Sequence, residues 1–405
     1  MNLPEDMIYL VLCRLPVKSL LGFKCVSKQF CSMIDSENFI QFHLRYSVEN
    51  NTEPSLVIQD KKKICSVNVV DSPTWQTREL DAPFGCSRTK ILGSCNGLIC
   101  VLKSAICSEP NLSALYRTLP RMYNILPKIA FWNPSTSNKF HVLPIDPIEV
   151  RGLNYSGFVD VQHAFGHDSV NNDYKVLRIV KLYNELDSFI IKVRVYSLKT
   201  NSWREIIAPS QANEIMTVNR YVRRYVLVRE AFHWLIKAHE PNICAFDIQG
   251  EEFCTVPLPN FGVPQGCFNM NLGVLGQCLC LASTRGRENI VMWMMKEYGR
   301  KDSWVKLFSL PRDSPAGYVL YTVPLAAYSK DVHDLDHEKV LLKLVTQYGE
   351  KLVRSDRKNK KSVVKILGLQ RETQLFTYVG SLVSPFSNDG SKTKNKKKRR
   401  RDENA

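Results

Sequence analysis

One pattern recurs along this chain and constrains its fold more than any other feature. Each copy is a strand centred on an aromatic residue, a polar turn and a second strand that often ends near a proline; the copies occupy residues 131–144, 195–206, 245–259, 291–311 and, more weakly, 352–364. The leading aromatics Trp132, Tyr196, Phe246 and Trp293 follow at intervals of 64, 50 and 47 residues. Short runs rich in β-branched and aromatic residues, bounded by turn residues, predict many short strands.

Further hairpin signals lie between these copies. The Asn96-Gly97 pair stands between two apolar arms, which is typical of a tight β-hairpin. Residues 168–173 form another polar turn between apolar runs. Two hairpins in about 50 residues make one four-stranded blade, and repetition of this unit predicts a β-propeller. A β-sandwich with coincidental spacing is the alternative, and the number of blades stays open. The units contain no Gly-Gly pair and so differ from standard kelch repeats.

The first 45 residues have a different, helical pattern. Pro4 suits the first position of a helix, and apolar residues follow Ile8 at i+3, i+4 and i+7 to make one apolar face. Pro16 ends that helix and can start another, and further apolar stretches lie at 30–34 and 39–44. A segment this short buries little surface by itself. Its several apolar faces therefore predict contact with a partner or with the next domain.

Three motifs stand in order within this helical segment. They are L-P-x-[ED] at Leu3–Asp6, L-x-x-L-P-V-K-S-L at Leu12–Leu20, and K-C-V-S-K at Lys24–Lys28. The segment resembles the F-box of plant F-box proteins, the module by which substrate receptors attach to the Skp-family adaptor of cullin-based ubiquitin ligases. Gly22 stands where a basic residue is common, and Phe30 replaces a frequent Trp. The alternative is an N-terminal helical cap on the main domain.

The larger part of the chain carries an ordered series of individually weak motifs. They include Gly93–Leu98, Trp132–Thr136, Phe165–Ser169, Val195–Leu198, Phe232–Leu235, Leu272–Leu275 and Trp293–Tyr298. Over residues 90–345 the series resembles the plant F-box-associated, kelch-like domain. The resemblance implies a mainly β fold: a kelch-like β-propeller domain preceded by a small all-α F-box helical module. The expected domains are the F-box at 1–45, a linker at 46–64, the propeller at 65–385 and a disordered basic tail at 386–405.

Composition argues against two classes of protein. No apolar run approaches the about 18 residues of a membrane helix, and no secretory signal is visible, so no membrane partner is expected. The thirteen cysteines are irregularly spaced, which favours buried free thiols in a reduced, intracellular protein. The formal net charge of +16 lies partly in the tail. No DNA-binding motif accompanies this charge, so a nucleic-acid partner is not expected.

No catalytic constellation is present in the sequence. Walker A, GxGxxG, HExxH, CxxC and GxSxG motifs are absent. The histidine pairs His163/His167 and His333/His337 lie in strand-and-turn contexts, where residues i and i+4 stand about 13 Å apart. Both pairs are expected to be structural or solvated, and Asp168 is expected to bond nearby backbone in its turn. The sequence therefore predicts no metal ion, no cofactor and no enzymatic activity.

The resemblance implies the substrate-recognition subunit of an SCF-type E3 ubiquitin-protein ligase. Its implied partners are a Skp-family adaptor, a cullin reached through that adaptor, and an unidentified protein substrate that the β domain holds for ubiquitination and proteasomal degradation. The residues predicted to contact the adaptor, or to support that contact, are Leu3, Pro4, Ile8, Leu12, Leu15, Pro16, Leu20 and Val26. Relatives of this type act in plant defence, pollen recognition or hormone responses, and the sequence does not choose among them.

A dense basic run near the C-terminus is predicted to be a nuclear-import signal. It consists of Lys396, Lys397, Lys398, Arg399, Arg400 and Arg401. The expected localisation is the nucleus and/or the cytoplasm, and an inert charged tail is the alternative for the run itself. Two other functions stay open: a nuclear nucleic-acid-associated protein that uses this tail, and a ligase-independent F-box scaffold.

Overall fold

The structure is a computed structural model of the 405-residue chain. The residues it describes are 4–50, 55–60, 63–69, 74–85, 89–103, 128–136, 139–147, 155–184, 189–208, 225–236, 241–262, 268–312, 318–328, 339–355, 361–366 and 374–386. A small helical module is followed by a large all-β body. The basic run of the tail lies outside the described residues.

The helical module contains four helices, which confirms the prediction of a small all-α module. They are α1 (Glu5–Leu12), α2 (Val17–Phe23), α3 (Lys28–Ile34) and α4 (Glu37–Glu49). Pro4 and Pro16 directly precede α1 and α2. Ser27 and Ser36 cap α3 and α4, because each side-chain oxygen accepts a backbone N–H three residues later, at 3.1 Å and 3.3 Å.

The β body is a six-bladed propeller. Blade 1 contains β1 (Ser55–Gln59), β2 (Ile64–Asn68), β4 (Arg78–Glu79) and β25 (Gln374–Tyr378). Blade 2 contains β5 (Thr89–Cys95), β6 (Leu98–Lys103), β7 (Lys128–Trp132) and β8 (Phe140–Val142). Blade 3 contains β9 (Tyr155–Asp168), β10 (Asp173–Asn184), β11 (Phe189–Ser197) and β12 (Ser202–Ile206). Blade 4 contains β13 (Val226–Val228), β14 (Ala231–Ile236), β15 (Asn242–Asp247) and β16 (Glu252–Val256). Blade 5 contains β17 (Phe268–Leu275), β18 (Cys278–Arg285), β19 (Ile290–Met295) and β20 (Trp304–Leu310). Blade 6 contains β21 (Val319–Tyr328), β22 (Lys339–Thr346), β23 (Gly349–Ser355), β24 (Lys361–Ile366) and β3 (Thr74–Trp75).

The recurring aromatic pattern is the outer hairpin of blades 2 to 6. Its copies correspond to β7–β8, β11–β12, β15–β16, β19–β20 and β23–β24. The leading aromatics Trp132, Tyr196 and Phe246 are buried, and the tight turns predicted between strands are present; at Asn96-Gly97 both residues have positive φ. The propeller prediction is confirmed, the β-sandwich alternative is wrong, and the blade number, open from the sequence, is six.

The first blade is built from both ends of the chain. Strand β25 pairs antiparallel with β1, and β3 pairs in parallel with β24 of the last blade. The propeller therefore begins at Ser55, inside the segment 46–64 that the sequence indicates as a linker, and α4 extends to Glu49. The sequence does not show this boundary, because residues 49–54 are polar and because the strand that pairs with β1 lies at the other end of the chain.

One apolar cluster lies at each of the six blade interfaces. The cluster between blades 2 and 3 includes Phe131, Phe165 and Tyr196. Leu44 of α4 and Val383 of the C-terminal segment join this same cluster. The helical module is therefore packed on the propeller at the junction of blades 2 and 3.

The two ends of the ring carry different loops. The described turns between first and second strands, such as 96–97 and 169–172, lie at one end, which we call the turn face. The second strands end, and the third strands begin, at the opposite end, which we call the connection face; the described residues 143–147, which follow the fourth strand of blade 2, lie there too. In blade 1, Tyr378 at the end of β25 pairs with Ser55 at the start of β1, so both chain segments leave from the turn face. The helical module sits on that face.

Candidate adaptor-docking and target-binding surfaces

The helical module has a compact apolar core of its own. The buried residues are Leu12, Cys13, Val17, Leu20, Ile34, Phe39 and, from the C-terminal segment, Leu382. His43 of α4 lies beside Phe39, and its ring Nε2 is 3.0 Å from the Leu15 carbonyl oxygen. Burial lowers the pKa of the His43 imidazole. Leu12 and Leu20, two of the residues predicted from the sequence, therefore lie in a position to support a docking surface from beneath.

A set of large apolar side chains stands exposed on the outside of this module. We call Met7, Leu10, Val11, Phe23 and Val26 the exposed apolar set. Three of them lie on α1 at i, i+3 and i+4, and the other two lie at and just beyond the end of α2. Exposed apolar side chains in a group mark interaction surfaces more often than chance.

The structure separates the predicted docking residues into three environments. Val26, Pro4 and Pro16 are exposed, Ile8 and Leu15 are half-buried, and Leu12 and Leu20 are buried. Leu3 lies outside the described residues. The predicted docking residues include Val26 but none of the other four members of the exposed apolar set, which are Met7, Leu10, Val11 and Phe23. A second apolar stripe on α1, at positions 7, 10 and 11, was the available signal. On the predicted face Ile8, Leu12 and Leu15 turn inward, but Val11 is exposed.

Among the described residues of the propeller, most of the large apolar side chains that stand exposed lie on the connection face. Within the described part of the propeller, the large apolar side chains that stand exposed there are Val142, Ile145, Ile190, Ile207, Leu320 and Tyr348. Val170 is the counterpart on the turn face. Ile207 directly follows β12 and is 95% exposed. This face is therefore the more apolar of the two ends in the described residues, and it lies opposite the helical module.

The connection between blades 2 and 3 is held in place by charged side chains. One Asp146 carboxylate oxygen is 2.7 Å from an Arg194 guanidinium nitrogen, and the other oxygen pairs with Arg178. Arg178 also donates to the Asp146 carbonyl oxygen at 2.8 Å and stacks on the Trp203 ring, with 4.9 Å from its Cζ to the ring centroid. These contacts present the neighbouring Ile145 on a fixed connection.

A buried ion-pair cluster joins blades 3 and 4 on the turn face. Lys175 Nζ lies 2.8 Å from an Asp168 oxygen and 2.9 Å from a Glu251 oxygen, and it donates to the Ile248 carbonyl oxygen at 3.0 Å. Burial alone would raise the pKa of the Asp168 carboxyl, but hydrogen bonds from Lys175 and Asn171 outweigh it and lower that pKa to about 2. The predicted turn role of Asp168 is confirmed, since Asn171 N donates to it at 3.0 Å.

Neither face offers a metal centre within the described ranges. No group of three or more His, Cys, Asp or Glu side chains there is arranged to hold an ion. His163 and His167 both lie on β9; burial lowers the pKa of His163 to about 3, and His167 Nε2 is 3.1 Å from Asn172 Oδ1. His333 and His337 lie outside the described residues. None of the ten described cysteines is joined in a disulfide. Among the described helices, none is both long and apolar enough to cross a membrane.

Comparison with known proteins identifies the two parts of the chain. The F-box domain family matches residues 1–42, which include α1 to α3 and part of α4. The F-box associated beta propeller domain family matches residues 123–385, more than half of the chain and most of the six-bladed body. This chain is an F-box protein.

Similar F-box proteins are present in Arabidopsis thaliana. F-box protein CPR1 is 29% identical over 98% of this chain and 92% of its own length. F-box protein At4g22390 is 28% identical over 84% of this chain and 80% of its own length. Among solved structures, AofleA from Arthrobotrys oligospora aligns with a TM-score of 0.40 and 7% identity over 80% of this chain and 84% of its own. Aleuria aurantia lectin, a six-bladed β-propeller, aligns with a TM-score of 0.36 and 9% identity over 78% of this chain and 91% of its own.

Proposed function

We propose that this F-box protein is the substrate-recognition subunit of an SCF-type E3 ubiquitin-protein ligase. The observation that carries the proposal is the exposed apolar set on an F-box module whose core is otherwise closed. Leaving five large apolar side chains in water is unfavourable, and burying each against a partner contributes on the order of 1–2 kcal/mol. The matching partner is a Skp-family adaptor, which connects the F-box to a cullin.

The proposed contribution of this chain to ubiquitination is proximity. The protein forms no covalent intermediate; it holds a target close to the ubiquitin carrier of the ligase and raises the effective concentration of the reacting groups. A rigid receptor serves this purpose, because the distance between the adaptor and the target is then fixed. Leu44 and Val383, which sit together in the interface between blades 2 and 3, provide a rigid seat for the module.

The proposed target-binding surface is the connection face. It carries exposed Ile145, Ile190 and Ile207 on and around blade 3, and Arg194 and Asp146 hold its connection in place. Binding residues commonly lie on loops that a rigid scaffold positions. Because the helical module occupies the opposite end of the ring, a target on the connection face would not compete with the adaptor.

Adaptor docking is tested with aspartate substitutions in the full chain. Val11→Asp and Val26→Asp introduce a charge into the exposed apolar set and should weaken co-purification of a Skp-family adaptor at least about tenfold, since hot-spot side chains contribute on the order of 2 kcal/mol. Val170→Asp is the matched control: Val170 is 67% exposed and Val26 is 66% exposed, but Val170 lies on a propeller turn. Undiminished adaptor binding by both variants would refute the docking proposal.

Target binding is tested by affinity purification under proteasome inhibition. Proteins captured by both the native chain and Val26→Asp, but ubiquitinated only with the native chain, would be substrates. Ile207→Asp should lose such proteins while it keeps the adaptor. A native chain that binds the adaptor but promotes no ubiquitination of any captured protein would instead support the ligase-independent scaffold.

We also propose that the protein acts in the nucleus and/or the cytoplasm, with Lys396–Arg401 as the import signal. A fluorescent fusion with these six residues replaced by alanine should shift towards the cytoplasm; an unchanged distribution would favour the inert tail. Nucleic-acid association through the same tail would appear as binding that weakens steeply with salt. A role in plant defence stays a proposal that identification of the substrate would decide.

A further inference from the structure

The last described segment of the chain lies between the helical module and the propeller. After β25 closes the ring at Tyr378, residues 379–386 continue without regular secondary structure along the turn face. Adjacent side chains in this segment point into different cores. Leu382 is buried among the F-box helices, and Val383 is buried in the apolar cluster between blades 2 and 3.

Asn133, at the turn after β7, hydrogen bonds to the backbone of this segment. Its side-chain Nδ2 donates to the carbonyl oxygen of Ser381 at 3.0 Å and to that of Val383 at 2.8 Å. Its Oδ1 accepts from Ser135 N at 2.9 Å and from the Tyr378 hydroxyl at 3.3 Å. Asn133 is fully buried, so each of these bonds is made away from water, where an unmade partner would be unfavourable.

The Asn96-Gly97 turn makes a second set of contacts with this segment. Ser381 Oγ donates to the Asn96 carbonyl oxygen at 2.7 Å, and Ser381 is itself fully buried. A Cβ at Gly97 would lie 2.1 Å from Ser381 Oγ and 2.8 Å from the Val379 carbonyl oxygen, so the segment passes closer to this turn than any other residue type would allow. The two predicted turns of blade 2 thus meet on one short stretch of chain.

The segment also touches the module directly. A Cβ at Gly380 would stand 3.7 Å from Val17 Cγ2 of α2 and 3.4 Å from Ser135 Oγ of blade 2. Further along, the Phe386 ring lies 6.0 Å from the His141 ring, edge to face. The segment is therefore in contact with α2, with the F-box core and with both hairpins of blade 2.

We propose that residues 379–386 form a C-terminal latch that completes the F-box core and positions the module on the propeller. The F-box of this protein is then not an independent N-terminal unit, because one of its buried leucines comes from the opposite end of the chain. On the proposed function, adaptor docking consequently requires a closed ring: a chain whose last strand has not paired with β1 cannot place Leu382 and presents an incomplete docking module. Asn133 is the positioning residue of the latch.

Two substitutions in the full chain test the latch by hydrogen exchange without any adaptor present. Leu382→Ala leaves a cavity in the F-box core and should accelerate amide exchange in α1–α4 by about 30-fold, since a buried leucine-to-alanine change is typically this disruptive. Leu320→Ala is the matched control, because Leu320 is exposed on blade 6. Peptides from blades 4 and 5 should keep their protection in both variants.

Asn133→Asp keeps the shape of the side chain but turns a carboxylate oxygen towards the Ser381 and Val383 carbonyl oxygens. It should accelerate exchange in 379–386 and in α1–α4 together, by about tenfold or more. Asn172→Asp is its control, since Asn172 is an exposed turn residue whose Oδ1 faces His167.

Unchanged exchange of α1–α4 in both Leu382→Ala and Asn133→Asp would overturn the latch. Loss of protection throughout the propeller in both variants would overturn it as well, because the segment would then support the ring rather than the module. Adaptor binding is measured separately on the same proteins. A native chain with no adaptor affinity would sink the proposed function and leave the exchange result intact; accelerated exchange with full adaptor affinity would separate the latch from docking.

Discussion

Asn133 and Ser381 are 248 residues apart in the chain, and the Asn133 side-chain Nδ2 donates a 3.0 Å hydrogen bond to the Ser381 carbonyl oxygen. This bond ties the outer hairpin of blade 2 to the segment that follows the closing strand. Leu382, the next residue, belongs to the core of the F-box module. The buried Asn133 amide therefore connects blade 2 to the segment that follows β25 and, through that segment, to the core of the F-box module.

The close approach of the latch to Gly97 predicts a specific loss of stability. Gly97→Ala should destabilise the protein by more than the about 1–2 kcal/mol that a left-handed backbone imposes on a residue with a Cβ. Gly299→Ala provides the matched control: φ is +80° at Gly97 and +81° at Gly299, but no heavy atom lies within 4 Å of a Cβ at Gly299. Denaturant unfolding of the two variants measures the difference. Equal losses of stability in the two variants would contradict this prediction, because the latch would then move away from Gly97 at Ser381 at little energetic cost.

The ion pair of Asp168 with Lys175 predicts a contribution to stability that acid removes. The pKa of Asp168 is lowered from 3.8 to about 2 in the folded protein, so its stabilisation is complete above the ordinary pKa. It declines as the pH falls from about 4 towards 2, because the unfolded chain binds the proton first. Asp168→Asn should therefore lower the thermal midpoint near neutral pH and approach the native protein at low pH. A difference that stays constant between those limits would contradict this prediction.

Buried His233 predicts acid sensitivity in a higher pH range. Burial lowers the pKa of its imidazole from 6.5 to about 4, and its Nε2 lies 2.7 Å from the Tyr298 hydroxyl. The unfolded chain takes up a proton below pH 6.5 and the folded chain does not. Stability should then fall as the pH decreases from 6.5 to 4, by about 1.4 kcal/mol per pH unit from this group.

The variant His233→Gln tests this contribution, because glutamine can still hydrogen bond to Tyr298 but does not titrate. The free energy of unfolding should depend less steeply on pH in the variant over the same interval. His163 contributes in the same direction, since burial lowers its pKa to about 3. An identical pH slope for the native protein and His233→Gln would show that the histidine is not the source.

Gly22 predicts a gain of stability rather than a loss. It lies inside α2, and no heavy atom lies within 4 Å of a Cβ placed there. Gly22→Ala should stabilise the helix by about 1 kcal/mol through propensity alone. The readout is slower amide exchange in α2. Gly276→Ala is a contrasting variant: Gly276 is equally open but has a φ of +60°, so alanine there should not stabilise the protein. Unaltered exchange in α2 would indicate that the helix ends are set by the module core instead.

The local sequence carried much of the fold. The aromatic hairpins are predictable because Trp132, Tyr196 and Phe246 recur at blade spacing, and each of the three is buried in an apolar cluster between blades. The Asn96-Gly97 turn is predictable because few other pairs adopt positive φ twice. Blade 1 was not predictable in this way, since β1 and β25 become neighbours only when the ring closes.

The docking surface, too, was predictable from the sequence only in part. The sequence by itself determined that the first residues form short helices and that Val26 and the two prolines border them, because capping, helix breaking and apolar period are local properties. Only the tertiary structure decided which apolar stripe of α1 faces water, and that Leu382 from the far end of the chain fills the module. Burial is a property of packed neighbours, and these neighbours are set by closure of the propeller rather than by adjacency in sequence.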